Sequence, residues 1–144
     1  MKCLAILLLA VVSLPVMANG TDWPAALRGI AAGEPRWIEQ TPSLAAIADV
    51  KQAQQLEDAL ALALSTNTTT TLKVLRTIDA GKWPHIIGSD IVCTPPSEKS
   101  PTEVEAFYQR TRKALLATID GAQCLWILEA SWEELNADKS RQVK

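Results

Sequence analysis

The chain has 144 residues, with 14 lysines and arginines against 16 aspartates and glutamates, a formal net charge of −2. This mildly acidic balance argues against a nucleic-acid partner, because binding phosphates requires a basic face. One local basic cluster, Arg110, Arg112 and Lys113, is most simply the solvated side of a helix.

The first element is a leader. Lys2 precedes an apolar run of eleven residues from Leu4 to Leu14, and the residues up to Ala18 suit a signal peptidase. This pattern predicts a secretory signal peptide over residues 1–18, cleaved after Ala18. The alternative, an uncleaved anchor, conflicts with the length of the run, because a bilayer span needs about 20 residues. We therefore expect a periplasmic or secreted protein with no membrane span after cleavage.

The mature chain has the composition of a helical protein. Alanine and leucine dominate, and no stretch alternates in the manner of a half-buried strand. We predict an all-α fold, a compact bundle of about six short helices with one disulfide. It forms a single domain over residues 19–136, followed by a charged, flexible tail over residues 137–144.

Capping residues and prolines locate these helices along the chain. The predicted starts are Asp22, Thr41, Asp49, a position just before Leu72, Ser100 and Ala122, and the last helix is predicted to end near Asn136. The threonine run from Thr68 to Thr71 predicts a turn or cap, since β-branched residues disfavour helix interiors. Helical spacing predicts that Ile47 and Ile119 face the core.

Two cysteines remain once Cys3 leaves with the leader. Cys93 and Cys124 form an even count in an exported chain, which predicts a disulfide between them. Two buried free thiols are the alternative. Two cysteines and a single histidine do not suffice for a structural zinc site, and we predict neither a metal nor a cofactor.

The only histidine, His85, lies in the stretch "GKWPHIIGSDIVC". A general base needs a substrate proton within reach and usually a carboxylate to orient it. Asp79 and Asp90 are near in sequence, but their spacing matches no catalytic motif. We interpret the stretch as a structural corner and predict no catalytic residue. The alternative is a small periplasmic hydrolase that uses His85 with one of these aspartates.

Tryptophan is in excess, with five residues against one phenylalanine and one tyrosine. At 100° per residue, Trp126 falls on the polar face of the last helix, near Glu129 and Glu133. An indole on a polar face is typical of a protein interface, so Trp126, Glu129 and Glu133 form the predicted binding site. The alternatives are that another helix or the segment with Trp23 and Trp37 covers Trp126, and that the glutamates are only a solvated stripe.

The segments "LEDALALALSTNTTTTLKVL", "DIVCTPP" and "QCLWIL" resemble a layout found in small, exported, uncharacterised bacterial all-helical proteins. The resemblance covers residues 44–128 and implies no functional residues. It departs at the turn, where Asn67-Thr68 replaces the expected Asn-Pro. Size, export signal and helical fold are also similar to those of periplasmic toxin-immunity proteins, at the level of class.

Together these features predict a non-catalytic binding protein, an inhibitor, immunity factor or adaptor, that acts through a helical surface on a protein partner in the periplasm. The hydrolase using His85 and a structural envelope protein are the alternatives. The oligomeric state stays open.

Overall fold

The computed structural model describes residues 20–82 and 87–143, and every regular element in these ranges is helical. The α-helices are α1 (Trp23–Ala31), α2 (Pro35–Ile38), α3 (Thr41–Ile47), α4 (Val50–Thr66), α5 (Thr68–Asp79), α6 (Ser89–Val92), α7 (Pro101–Leu116) and α8 (Ala122–Gln142), with a 3₁₀ helix, η1 (Ile119–Gly121), before α8. Within the described ranges, six α-helices have seven or more residues. The prediction of an all-α fold with about six helices and a disulfide is therefore confirmed.

Local sequence accounts for the first helices. The Asp22 carboxylate accepts a hydrogen bond from the Ala25 amide at 3.1 Å, and Pro24 occupies the first turn of α1. The α1–α2 connection passes through Gly33, whose φ of +83° is the left-handed conformation that glycine adopts without strain. The prediction that Ile47 faces the core was wrong: its side chain is 64% exposed at the end of α3. Ile47 is the last residue of α3, and the backbone becomes extended at Ala48.

Helices α4 and α5 are almost continuous. A capping box starts α4, in which the Asp49 side chain accepts from the Gln52 amide at 2.8 Å and the Gln52 side chain accepts from the Asp49 amide at 2.9 Å. Only Asn67 separates α4 from α5, so the predicted threonine turn is shorter than expected. Thr68 and Thr71 lie in the first turn of α5, where their hydroxyls donate to carbonyls four residues earlier.

The hydrophobic core joins residues from all eight helices. Helix α4 lies at its centre, because Leu56, Leu60 and Leu64 are fully buried on one face, spaced at helical period. Helix α1 packs along α4, and α7 packs on it as well. Helices α3, α5 and α6 also contact α4, whereas α8 packs on α6 and α7.

The disulfide between Cys93 and Cys124 is present, with an S–S distance of 2.03 Å and both residues buried. It joins the end of α6 to the first turn of α8. The Thr94 and Ser131 hydroxyl oxygens, 3.4 Å apart, form a second contact between these segments. The pairing predicted from the cysteine count is confirmed.

Helices α7 and α8 form an antiparallel hairpin. A capping box between Ser100 and Glu103 starts α7, and the hydrogen bonds to Ser100 lower the pKa of the Glu103 carboxyl. Helix α8 continues to Gln142, so its predicted end near Asn136 was wrong. The last turns contain good helix formers, and an ion pair between Asp138 and Arg141 at 3.2 Å supports them.

Candidate binding surface

Helix α8 places Trp126 on its solvent side. Cys124 and Leu128 form the buried side of this helix, and Trp126 lies away from both, with 73% of its surface exposed. Trp23 and Trp37 instead pack against the core in the N-terminal part of the fold. In the described structure, this N-terminal segment therefore does not cover Trp126.

Two further apolar side chains are exposed at the same end of the hairpin. Ile119 in η1 is fully exposed, and Leu116 at the end of α7 is 56% exposed. We call Leu116, Ile119 and Trp126 the Trp126 corner. The prediction that Ile119 is buried was wrong, because α7 ends at Leu116 and the chain changes direction before Ile119.

A close backbone contact fixes the shape of this corner. Gly121 lies so near the Leu115 carbonyl oxygen that a Cβ atom at this position would collide with it. An ion pair between Arg76 and Asp120, at 3.5 Å, also ties η1 to α5. The turn therefore holds Ile119 in a defined position next to both helices. In the sequence, Asp120-Gly121 signals a break between two helices. The break in fact begins after Leu116, and a prediction that placed it there would have indicated that Ile119 is exposed.

Glu129 faces the neighbouring helix rather than open solvent. Its carboxylate accepts hydrogen bonds from the Tyr108 hydroxyl at 2.8 Å and from Arg112 Nε at 2.6 Å. Burial raises the pKa of the Tyr108 hydroxyl, and the bond to Glu129 raises it further. The same carboxylate raises the pKa of Arg112. The structure thus gives Glu129 a role inside the hairpin, next to Trp126 but not free for a partner.

The half-buried Trp132 completes this contact between the helices. Its ring stacks on Tyr108, with centroids 4.2 Å apart and planes inclined by 7°. The Lys139 ammonium lies over the same ring at 5.7 Å. Trp132 therefore holds α8 against α7 at the margin of the core.

Glu133 is exposed and lies seven residues, about two helical turns, beyond Trp126. Within the described residues it forms no ion pair. On α7, a groove of about 670 Å³ runs beside the corner and is lined by Gln109, Arg110, Arg112, Lys113, Leu116 and Ala117. The exposed hairpin face therefore carries bases on α7 and an unpaired carboxylate on α8.

The aspartates considered for catalysis occupy separate positions. Asp79, at the end of α5, accepts hydrogen bonds from the Ser89 amide at 2.9 Å and from the Ser89 hydroxyl at 2.6 Å. It thus caps the start of α6. Asp90 is exposed on α6. His85 and residues 83–86 of the predicted corner lie outside the described residues, as does the predicted leader. Of the rest of the corner, Ile87, Val92 and Cys93 are buried.

A second concave region lies between α4, α6 and the segment that leads to α7. It has a volume of about 600 Å³, and four of its lining residues are acidic: Glu57, Asp58, Asp90 and Glu98. Burial, and then the charge of Asp58, raise the pKa of the Glu57 carboxyl. Over residues 20–82 and 87–143, no three potential metal ligands are grouped in a way that would hold an ion. Nor does any helix there combine the length and hydropathy needed to cross a bilayer.

The glycosylation sequon at Asn67-Thr68-Thr69 coincides with the α4–α5 joint. The Asn67 side-chain amide donates to the Gly33 carbonyl at 3.0 Å, while its oxygen accepts from the Thr70 amide at 3.3 Å. Both ends of this side chain are thus used to connect the helices.

Comparison of the chain with protein-family models, with curated proteins and with solved structures finds no match.

Proposed function

We propose that this chain is a non-catalytic binding protein, exported to the periplasm or secreted, that recognises a protein partner through the exposed face of the α7–α8 hairpin. The observation that carries the proposal is the Trp126 corner. Three large apolar side chains, at the end of α7, in η1 and in the first turns of α8, are exposed to solvent at one end of the hairpin. A few residues, tryptophan prominent among them, supply most of the binding energy at protein interfaces.

The surroundings of the corner support a protein partner. Arg112 and Glu129 form a polar margin beside Trp126, and Lys113 and Glu133 extend it along the two helices. An apolar centre with a polar margin is the usual composition of a protein interface. Export is supported by the buried disulfide, because disulfides persist mainly in oxidising compartments. An inhibitor, immunity factor or adaptor is the class of function that such a surface serves.

The proposal is tested by comparing Trp126→Ala with Ile47→Ala as baits. Both substitutions remove an exposed apolar side chain, but Ile47 lies on α3, away from the hairpin. We expect both variants to keep the circular dichroism spectrum and melting temperature of the parent. Periplasmic proteins captured by the parent chain should be retained by Ile47→Ala and lost by Trp126→Ala, as quantified by mass spectrometry.

Capture of the same proteins by both variants in equal amounts would contradict the proposal. A parallel His85→Ala variant tests the hydrolase alternative. If an activity of the parent towards a hydrolysable substrate disappears in a folded His85→Ala protein, the chain is an enzyme.

A further inference from the structure

The charges on the exposed hairpin face are arranged in two strips. Lys113 and Arg112 lie on α7, whereas Glu133 and Glu129 lie on α8. Arg112 and Glu129 satisfy each other within the hairpin at 2.6 Å. Lys113 and Glu133 form no ion pair within the described part of the chain. The face thus has a free base on one helix and a free acid on the other, beside the Trp126 corner.

The register of the hairpin determines which residues lie at the same level. Tyr108 stacks on Trp132, and Arg112 bonds to Glu129. Because the helices are antiparallel and each residue rises about 1.5 Å, Leu116 lies level with Trp126. By the same register, Lys113 lies level with Glu129, one turn from Glu133.

We infer that this face pairs with the same face of a second copy of the chain, in a twofold-symmetric dimer. An axis running along the hairpin between the two helices exchanges their positions and keeps their levels. It therefore places α7 of each copy over α8 of the other. Leu116 then meets Trp126 of the second copy, and Lys113 faces the stretch from Glu129 to Glu133.

Both the apolar and the charged parts of the face are self-complementary under this rotation, as an isologous interface requires. Because α7 of each copy lies over α8 of the other, like charges do not face one another. An arrangement that placed α7 over α7 would be opposed by their repulsion.

The size of the face sets the expected strength. Helix α7 has 16 residues, which gives a length of roughly 24 Å, and two helices side by side span about 20 Å. This footprint is below the roughly 800 Å² per partner of a standard stable interface. We therefore expect a reversible dimer whose population rises with concentration. The inference rests on the proposed function, because both use the same surface. A second copy would therefore compete there with any other partner.

The test is sedimentation equilibrium of the full mature chain, with the disulfide intact, over a range of concentrations. The parent should change reversibly from monomer to dimer. Lys113→Glu and Glu133→Lys should each weaken dimerisation by at least about tenfold, because each places like charges opposite one another. An equimolar mixture of the two variants should recover the dimer, because each copy then offers the complement of the other.

Glu134→Lys is the matched control, since it makes the same charge change on α8 at a position turned away from this face, and it should dimerise like the parent. A parent that is monomeric throughout, or a mixture that fails to recover the dimer, would overturn the inference. If a monomeric parent still loses its captured proteins on Trp126→Ala, the proposed function stands and only the second copy is ruled out. If the charge-swap mixture recovers the dimer but Trp126→Ala captures the same proteins as the parent, the dimer stands and the proposed function is ruled out.

Discussion

The Glu129 carboxylate has two partners on the neighbouring helix, the Tyr108 hydroxyl and the Arg112 guanidinium. The two bonds differ in consequence. Tyr108 is only 8% exposed, so its hydroxyl is hydrated less easily than the Arg112 guanidinium if the acceptor is removed. Arg112 is exposed and can exchange the carboxylate for water, so the ion pair itself contributes little. Glu129 therefore stabilises the hairpin mainly through the tyrosine.

We predict that Glu129→Ala lowers the free energy of unfolding by about 1 kcal/mol, because it removes the acceptor of the part-buried Tyr108 hydroxyl. Tyr108→Phe should cost about 1 kcal/mol, and the double variant should cost less than the sum of the two. Urea denaturation of the four proteins measures this coupling. Glu133→Ala is the control and should stay within about 0.5 kcal/mol of the parent. Equal, negligible effects of Glu129→Ala and Glu133→Ala would contradict the assigned role.

At the scale of elements, the α4–α5 joint depends on a single side chain. Asn67 separates the two helices, and its oxygen caps α5 by accepting from the Thr70 amide. Its amide group reaches Gly33, which lies after α1, at a position where the left-handed backbone passes close to Thr66. One asparagine thus connects three helices.

We predict that Asn67→Ala destabilises the protein by about 1–2 kcal/mol through loss of the cap. Asn67→Asp keeps the acceptor for Thr70 but loses the donor to Gly33, so its effect should be intermediate. Thr69→Ala serves as the control, because Thr69 is exposed on the same turn. Thermal and urea denaturation measure the series. The interpretation fails if Asn67→Ala is as stable as Thr69→Ala.

At the scale of the molecule, the disulfide connects the end of α6, before the hairpin, to the first turn of α8 within it. It closes a loop with a sequence separation of 31 residues, which includes all of α7 and η1. Without it, α6 and the start of α8 would be held together by packing and by the weak contact between Thr94 and Ser131. The crosslink therefore limits the freedom of the unfolded chain in the region that carries the Trp126 corner.

We predict that replacing both cysteines by alanine lowers the stability by roughly 3–4 kcal/mol, as expected for closing a loop of this length. In reductant, the urea midpoint of the parent should fall to near that of the double variant, whereas the midpoint of the double variant should not change. A parent midpoint that is unchanged by complete reduction would contradict this prediction.

Much of the fold follows from local sequence. The side chains that start α1, α4 and α7, Asp22, Asp49 and Ser100, were all identified as caps from residue type and spacing. Caps are predictable because they depend on groups within three or four positions along the chain. The cysteine pairing was predictable for another reason, since only one pair remained after the leader was set aside.

The sequence by itself therefore determined the helical class, the caps that start α1, α4 and α7, and the disulfide partners. It also placed Trp126 on the polar face of α8, but not its exposure. The exposure of Ile47, Ile119 and Trp126, and the partners of Glu129, were decided only by the tertiary structure. The physical reason is that helical periodicity gives the direction of a side chain around its own axis, whereas burial depends on which other helix lies in that direction. That is set by packing between residues distant in the chain.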